Sequence, residues 1–186
     1  MSIEIPELQT ERLHLRAPEL SDYPVYRDFY ADAAASAAYG GPQDAGFAWR
    51  RLASDLGHWG LRDFGMWSVI ERETGKMVGG SGLVWPESWP RHELTWWIVP
   101  AARRRGFAFE ASQAVVAFAY GTWNWPAVET HMDDDNEAAR HLAVKLSGRI
   151  TERCAFPDGK TRDVYTLPPP GDQPRTIADP APKMRT

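Results

Sequence analysis

Apolar and polar residues alternate over residues 11–16, with Leu13 and Leu15 on one side and Arg12, His14 and Arg16 on the other, the pattern of a half-buried strand. Ser21 is placed to cap a helix, Pro24 falls in its first turn where the missing N–H does no harm, and Val25, Phe29 and the following alanines carry it to Tyr39-Gly40-Gly41-Pro42. Trp49, Leu52, Leu56 and Trp59 recur at spacings of three and four, predicting a second helix from about Asp44 to Gly57 or beyond. Runs at 66–72 and 77–84 flank Glu73-Thr74-Gly75-Lys76 and read as a hairpin. Two prolines in 85–90 interrupt the ladder, 93–99 is a further strand closed by Pro100, and Arg103-Arg104-Arg105-Gly106 leads into an Ala-rich helix over 107–120. A short strand at 127–132, a helix through Ala139, Leu142, Ala143 and Leu146, and a hairpin of 150–156 with 162–166 about Pro157-Asp158-Gly159-Lys160 complete the pattern.

This order predicts an α/β (α+β) fold: a mixed, mostly antiparallel central sheet flanked by about four helices, with parallel strand–helix–strand character in its middle. One domain is expected over 1–167, followed at 168–186 by a disordered tail holding six prolines and almost no apolar residues. Hydrophobic residues at 43% and charged residues at 25% suit a globular core. Without a membrane-length apolar run or a signal-like N-terminus, the chain is expected in the cytoplasm and away from membranes. The net charge of −4 argues against general nucleic-acid binding, and the lone Cys154 permits neither an intrachain disulfide nor a Cys-based metal cage. Nine tryptophans exceed what such a core needs, which predicts that some line a pocket.

A helix that opens directly after a strand presents unpaired N–H groups and the positive end of its dipole, an anion site by construction. Gly106 permits close backbone approach, Ala108 avoids crowding, and Arg103, Arg104 and Arg105 add charge. The order strand, Arg103-x-x-Gly106-x-Ala108, long helix, short strand, then Asn136-x-x-Ala139-Arg140 resembles the GCN5-related N-acetyltransferase (GNAT) superfamily, in particular the branch acting on ribosomal-protein N-termini. Thr10-Glu11-Arg12-Leu13-x-Leu15-Arg16 is similar to that branch's opening strand, and Glu93-Leu94-Thr95-Trp96-Trp97 with Arg105-Gly106-Phe107-Ala108 to its central strand and cofactor turn. The resemblance implies acetyl-CoA as co-substrate, its pyrophosphate on the amides of residues 104–108, including Phe107, and its pantetheine arm along Ile98 and Val99. It also implies a pantetheine contact for Asn136 and an adenosine-side position for Arg140. From the residues alone, Asn136 also serves as an N-cap and Arg140 as part of a solvated face.

Acyl transfer to an amine needs the neutral amine, whereas lysine amines have a pKa of about 10.4 and α-amines about 8, so a base helps. Glu93 shares a face with Thr95 and Trp97 and resembles the family's strand glutamate; His92 competes for the role. A main-chain N–H near Ile98 suits the developing oxyanion. Where several families place a tyrosine acid, seven residues after Asn136, this chain has Ala143, which leaves Ser147 as the hydroxyl candidate. Tyr39, Trp85, Glu87 and Trp89 fall on the loops that face the amine acceptor in the resembling fold, an aromatic and acidic wall suited to an ammonium group on a protein N-terminus or a small molecule. Cys154 reads as inert, His131 with the acids at 133–135 matches no metal spacing, and no metal is expected. A homodimer is compatible with these features. Two other functions fit in part: a non-catalytic acyl-CoA-binding or regulatory module, favoured by Ala143, and a nucleotide or RNA binder, disfavoured by the charge.

Overall fold

The computed structural model describes residues 4–171; the greater part of the predicted tail, from residue 172, lies outside the described residues. The chain opens with β1 (Leu8–Gln9) and β2 (Leu13–Arg16), and β2 buries Leu13 and Leu15 completely, as its alternation requires. A 3-10 turn leads into α1 (Tyr23–Ala31), whose flanking residue is Asp22, not the expected Ser21. Asp22 makes no capping bond into α1; its carboxylate instead accepts from two Arg16 nitrogens at 2.8 Å, the Ser68 hydroxyl at 2.6 Å and the Glu19 amide at 2.9 Å. Nor does α1 run on into the alanines. Asp32 is extended, and its carboxylate accepts from the amides of Ala34 and Ala35, starting the separate one-turn helix α2 (Ala33–Ser36). The predicted second helix is α3 (Ala45–Arg62), capped by Asp44 through the Phe47 amide at 2.6 Å.

Strands β3 (Met66–Glu71), β4 (Met77–Val84) and β5 (Glu93–Ile98) follow as an antiparallel meander, giving a five-stranded sheet in the order β1-β2-β3-β4-β5. The helix α4 (Phe107–Gly121) crosses back to β6 (Val128–His131), and after α5 (Glu137–Lys145) the hairpin of β7 (Arg149–Ala155) and β8 (Thr161–Leu167) completes a second sheet, β6-β8-β7. The sheet is thus mixed in topology but divided at its parallel step. There β5 and β6 run side by side, joined by a hydrogen bond from the Thr130 hydroxyl to the Leu94 carbonyl at 2.8 Å rather than by a ladder. Beyond it the Trp96 indole packs on Met132, Ala143 and Tyr165, and the strands part.

One face of the larger sheet buries Leu13, Leu15, Val69, Leu94 and Ile98 under Phe107, Ala111, Val115 and Ala119 of α4. The other packs Met66, Val84 and Trp97 against Tyr26, Phe29 and Tyr30 of α1 and Leu52 of α3. Residues 93, 95 and 97 of β5 therefore face α1 and α3, and the gap between β5 and β6 opens along the edge of that face.

Candidate functional site

The arginine turn after β5 is held in an unusual backbone shape: Arg104 lies at φ 61° and Gly106 at φ 83°, and α4 starts at Phe107 with no side-chain cap. Among the described residues, no protein acceptor meets the amides of residues 104–109, so six consecutive N–H groups are free at the positive end of a 15-residue helix. The three arginines act differently. Arg103 donates to the carbonyls of Ile98 at 3.1 Å and Ala35 at 2.9 Å, bracing the strand end instead of facing a ligand. Arg105 pairs with Glu71 and lies over the Phe107 ring at 4.5 Å, whereas the Arg104 side chain has no partner among the described residues. Ala108 is partly buried in the first turn of α4.

A residue of the opening strand motif shapes this turn. Arg12 donates to the Arg105 carbonyl at 2.9 Å, and it grips Glu110, in the first turn of α4, at 2.7 Å through Nε and 2.6 Å through Nη2. The Glu110 carboxyl also accepts from the Thr10 hydroxyl at 2.6 Å; burial pushes it up, but these hydrogen bonds outweigh that and hold it below its ordinary value. Because a trans peptide sets C=O and N–H in opposite directions, fixing the Arg105 carbonyl on Arg12 turns the Gly106 N–H away from Arg12 and toward the open side. In the sequence Arg12 shows as a polar strand position within the opening motif, and its partner does not show, since the pairing spans 98 residues.

Along β5 the carbonyls of Leu94, Trp96 and Ile98 meet Thr130, Tyr39 and Arg103, all away from β4, while the Val99 amide bonds back to Val78 at 2.9 Å. In a β ladder a residue's N–H and C=O share an edge, so the N–H groups of Trp96 and Ile98 also point to the free edge. Val99, by contrast, is tied into the sheet.

An open cleft of about 1650 Å³ begins where β5 and β6 fork and extends past α3 and the loop between β4 and β5 to the β7–β8 hairpin. Of the predicted residues, Glu93, Tyr39, Trp85, Glu87, Trp89 and Asn136 line it. Glu93 keeps 22% of its side chain exposed, and its carboxylate meets Nε2 of His131, whose own side chain is 7% exposed. Tyr39 reaches the Trp96 carbonyl, and burial pushes its hydroxyl well above the ordinary phenol value. Trp85 donates to the Trp89 carbonyl at 3.0 Å, and Glu87 sits on the rim paired with Arg62 at 3.0 Å. Trp49 and Trp96 also line the cleft, which accounts for part of the tryptophan excess.

Other expected residues take different places. Asn136 caps α5 by accepting the Ala139 amide at 3.1 Å while its residue lines the cleft, so the two readings of its sequence position coexist. Arg140 donates to the Asp134 carbonyl at 3.1 Å on the outer face. Ser147 lies past the far end of α5, at φ 63°, and does not line the cleft; a nine-residue helix separates it from Asn136 by roughly 13 Å of rise. His92 turns its ring to Trp125 and the Ala127 carbonyl, and burial pushes its imidazole below the ordinary value. Asp133 is engaged by Lys160 and Arg162, and Cys154 lies in β7 away from the cleft. Two cleft residues were not expected in this site: His131, which the sequence brought up only as a metal ligand, and the buried Asp55, which accepts from Tyr26 at 2.9 Å beside Arg51 at 3.0 Å and whose carboxyl burial pushes up.

A family model described as "Acetyltransferase (GNAT) domain" matches residues 12–149. An acetyltransferase from Agrobacterium tumefaciens is 30% identical, with a TM-score of 0.81 over 90% of this chain and 97% of that one. A GNAT-family acetyltransferase from Bacillus anthracis shares the fold at 16% identity, covering 87% of this chain and 98% of its own at TM-score 0.73. So does the RimL ribosomal L7/L12 α-N-protein acetyltransferase in its complex with coenzyme A, at 12% identity, 88% and 98% coverage and TM-score 0.69. Sequence comparison with curated proteins returns no match. Among the described residues, no helix is long and apolar enough to cross a membrane.

Proposed function

The chain belongs to the GNAT acetyltransferase family, and on that premise we propose that it transfers the acetyl group of acetyl-CoA to a primary amine by direct attack in a ternary complex. The observation that carries the reading is an alignment along one strand. Free amides at 104–109 lie past one end of β5, free N–H groups of Trp96 and Ile98 mark its edge, and Glu93 stands at the other end in the cleft.

The residues fit the cofactor. A diphosphate needs several donors and no competing carboxylate; the turn offers six amides, and the two acids beside it, Glu110 and Glu71, are paired with Arg12 and Arg105. Bound there, acetyl-CoA supplies a thioester carbonyl for the amine and a thiol leaving group. The free edge of β5 accommodates an extended amide-containing arm as an additional strand would be, and the Ile98 N–H supplies a donor where negative charge grows on a carbonyl oxygen. Asn136, already capping α5, borders the same gap. Glu93 takes the proton from the acceptor's ammonium group, directly or through a water, and Tyr39, Trp85, Glu87 and Trp89 form the wall that receives the acceptor. The fold shared with RimL keeps a protein N-terminus among the acceptors to be tried, beside small amines.

Buried Ala143 stands where a tyrosine acid is common in the family, and this favours the second reading, a module that binds acyl-CoA without turnover. Native mass spectrometry of the purified protein tests the cofactor, and thiol release from acetyl-CoA with a panel of amines and N-terminal peptides separates the two. Release above the acceptor-free background supports the transferase; cofactor binding without release with any acceptor supports the module.

A further inference from the structure

We infer that His131 is a positioning residue for Glu93, holding the carboxylate at the fork of the two sheets in the orientation a base requires. The inference rests on the proposed role of Glu93.

The fork fixes both residues. Thr130 donates to the Leu94 carbonyl at 2.8 Å, and Glu93 and His131 are the immediate chain neighbours of that contact, one on each strand. Alternation turns their side chains to the face opposite Leu94, where His131 Nε2 meets a Glu93 carboxylate oxygen. The pair therefore stands at the last point where β5 and β6 are joined, beside the gap that opens beyond.

The imidazole has little freedom. Its ring centroid lies 4.2 Å from that of Phe156 and 5.7 Å from that of Trp89, and its side chain is 7% exposed. Glutamate is a long side chain with several rotamers, and holding one of them costs entropy that a rigid partner offsets in advance. With Nε2 on Glu93, the carboxylate keeps a second oxygen for an incoming ammonium group. His131 thus acts through Glu93 and need not touch the acceptor.

Placement among aromatic rings alone would make His131 a packing residue, and a double-mutant cycle separates the two roles. His131→Phe keeps a ring between Trp89 and Phe156 but removes the donor; His131→Gln keeps an N–H at about the same reach. In the parent background His131→Phe is expected to lower kcat about 10- to 100-fold. The KM for the amine and the acetyl-CoA dissociation constant should each stay within about threefold, and His131→Gln should recover most of the loss. In a Glu93→Gln background the same His131→Phe change is expected to cost less than about twofold, since the carboxylate it positions is gone. An equal loss in both backgrounds, or an undiminished kcat in His131→Phe, overturns the positioning role while leaving Glu93 as the base. Should His131→Phe fail to fold, the cycle is run with His131→Gln and His131→Ala, and His131→Ala losing kcat equally in both backgrounds overturns the role. A Glu93→Gln variant as fast as the parent instead removes the base itself and the inference with it.

Discussion

Substituting Gly106 tests the anion turn and separates backbone strain from charge. At φ 83° any L residue is strained by about 1–2 kcal/mol, and a Cβ there meets the tip of Arg12, Nη2, at 3.3 Å, a flexible neighbour that can move. This strain is present with and without ligand, so it lowers stability but largely cancels from affinity. Gly106→Ala is therefore expected to lose about 2–8 °C in Tm, at roughly 2–4 °C per kcal/mol for a chain of this size, with the acetyl-CoA dissociation constant within about threefold of the parent. Gly106→Glu adds a carboxylate against the diphosphate. Each phosphate charge at about 4 Å in water-like surroundings contributes roughly 1 kcal/mol of repulsion, so two weaken binding by about 2 kcal/mol, near 30-fold. Calorimetry on both folded variants at low and moderate salt reads the difference, which should narrow as salt rises. A folded Gly106→Glu variant that binds as tightly as the parent refutes the turn assignment, and equal losses for Ala and Glu refute the charge argument.

Glu93→Gln should leave acetyl-CoA affinity nearly unchanged while turnover on the best amine falls by about 10² to 10⁴, the defect shrinking between about pH 7 and pH 10 as the amine loses its own proton; steady-state rates across that range measure it. Arg12→Ala releases both the Arg105 carbonyl and the Glu110 carboxylate at the proposed cofactor turn, and acetyl-CoA should bind about 5- to 10-fold more weakly by calorimetry, with only the part due to the freed carboxylate recovered when Glu110→Gln is added. Asp22→Asn breaks the tie between β2, α1 and β3. Burial pushes the Asp22 carboxyl up, but Arg16, Ser68 and the Glu19 amide together hold it below its ordinary value. Its stabilisation is thus present above the unfolded carboxylate pKa of about 3.9 and lost as pH falls through the lower folded value. Thermal melts should show the variant roughly 5–10 °C below the parent at pH 7, converging with it under strongly acid conditions.

The sequence by itself determined most of what depends on near neighbours. Alternation placed β2, runs bounded by glycine turns and prolines placed the two hairpins and β5, period-3.6 spacing placed α3, and Gly106 after a strand located the free amides of α4, because strand pleat, turn, helix face and helix start are properties of a few consecutive residues. It misjudged two local details for different reasons: Arg16 and Ser68, from elsewhere in the fold, engage the Asp22 carboxylate at the start of α1 where Ser21 was expected, whereas Asp32 is a local cap, taking the Ala34 and Ala35 amides and starting a new turn inside the alanine run. Only the tertiary structure decided which arginine does what at the turn, since Arg103 finds its acceptor on Ala35 and Arg105 its partner on Glu71. Only the fold could bring Arg12 to Glu110, divide the sheet at Thr130, leave Ser147 outside the cleft, and set His131 against Glu93. Residues separated by tens of positions meet through strand register and crossover geometry, which local periodicity does not encode, so the sequence could supply the proposed base and the proposed anion turn but not the residues packed around them.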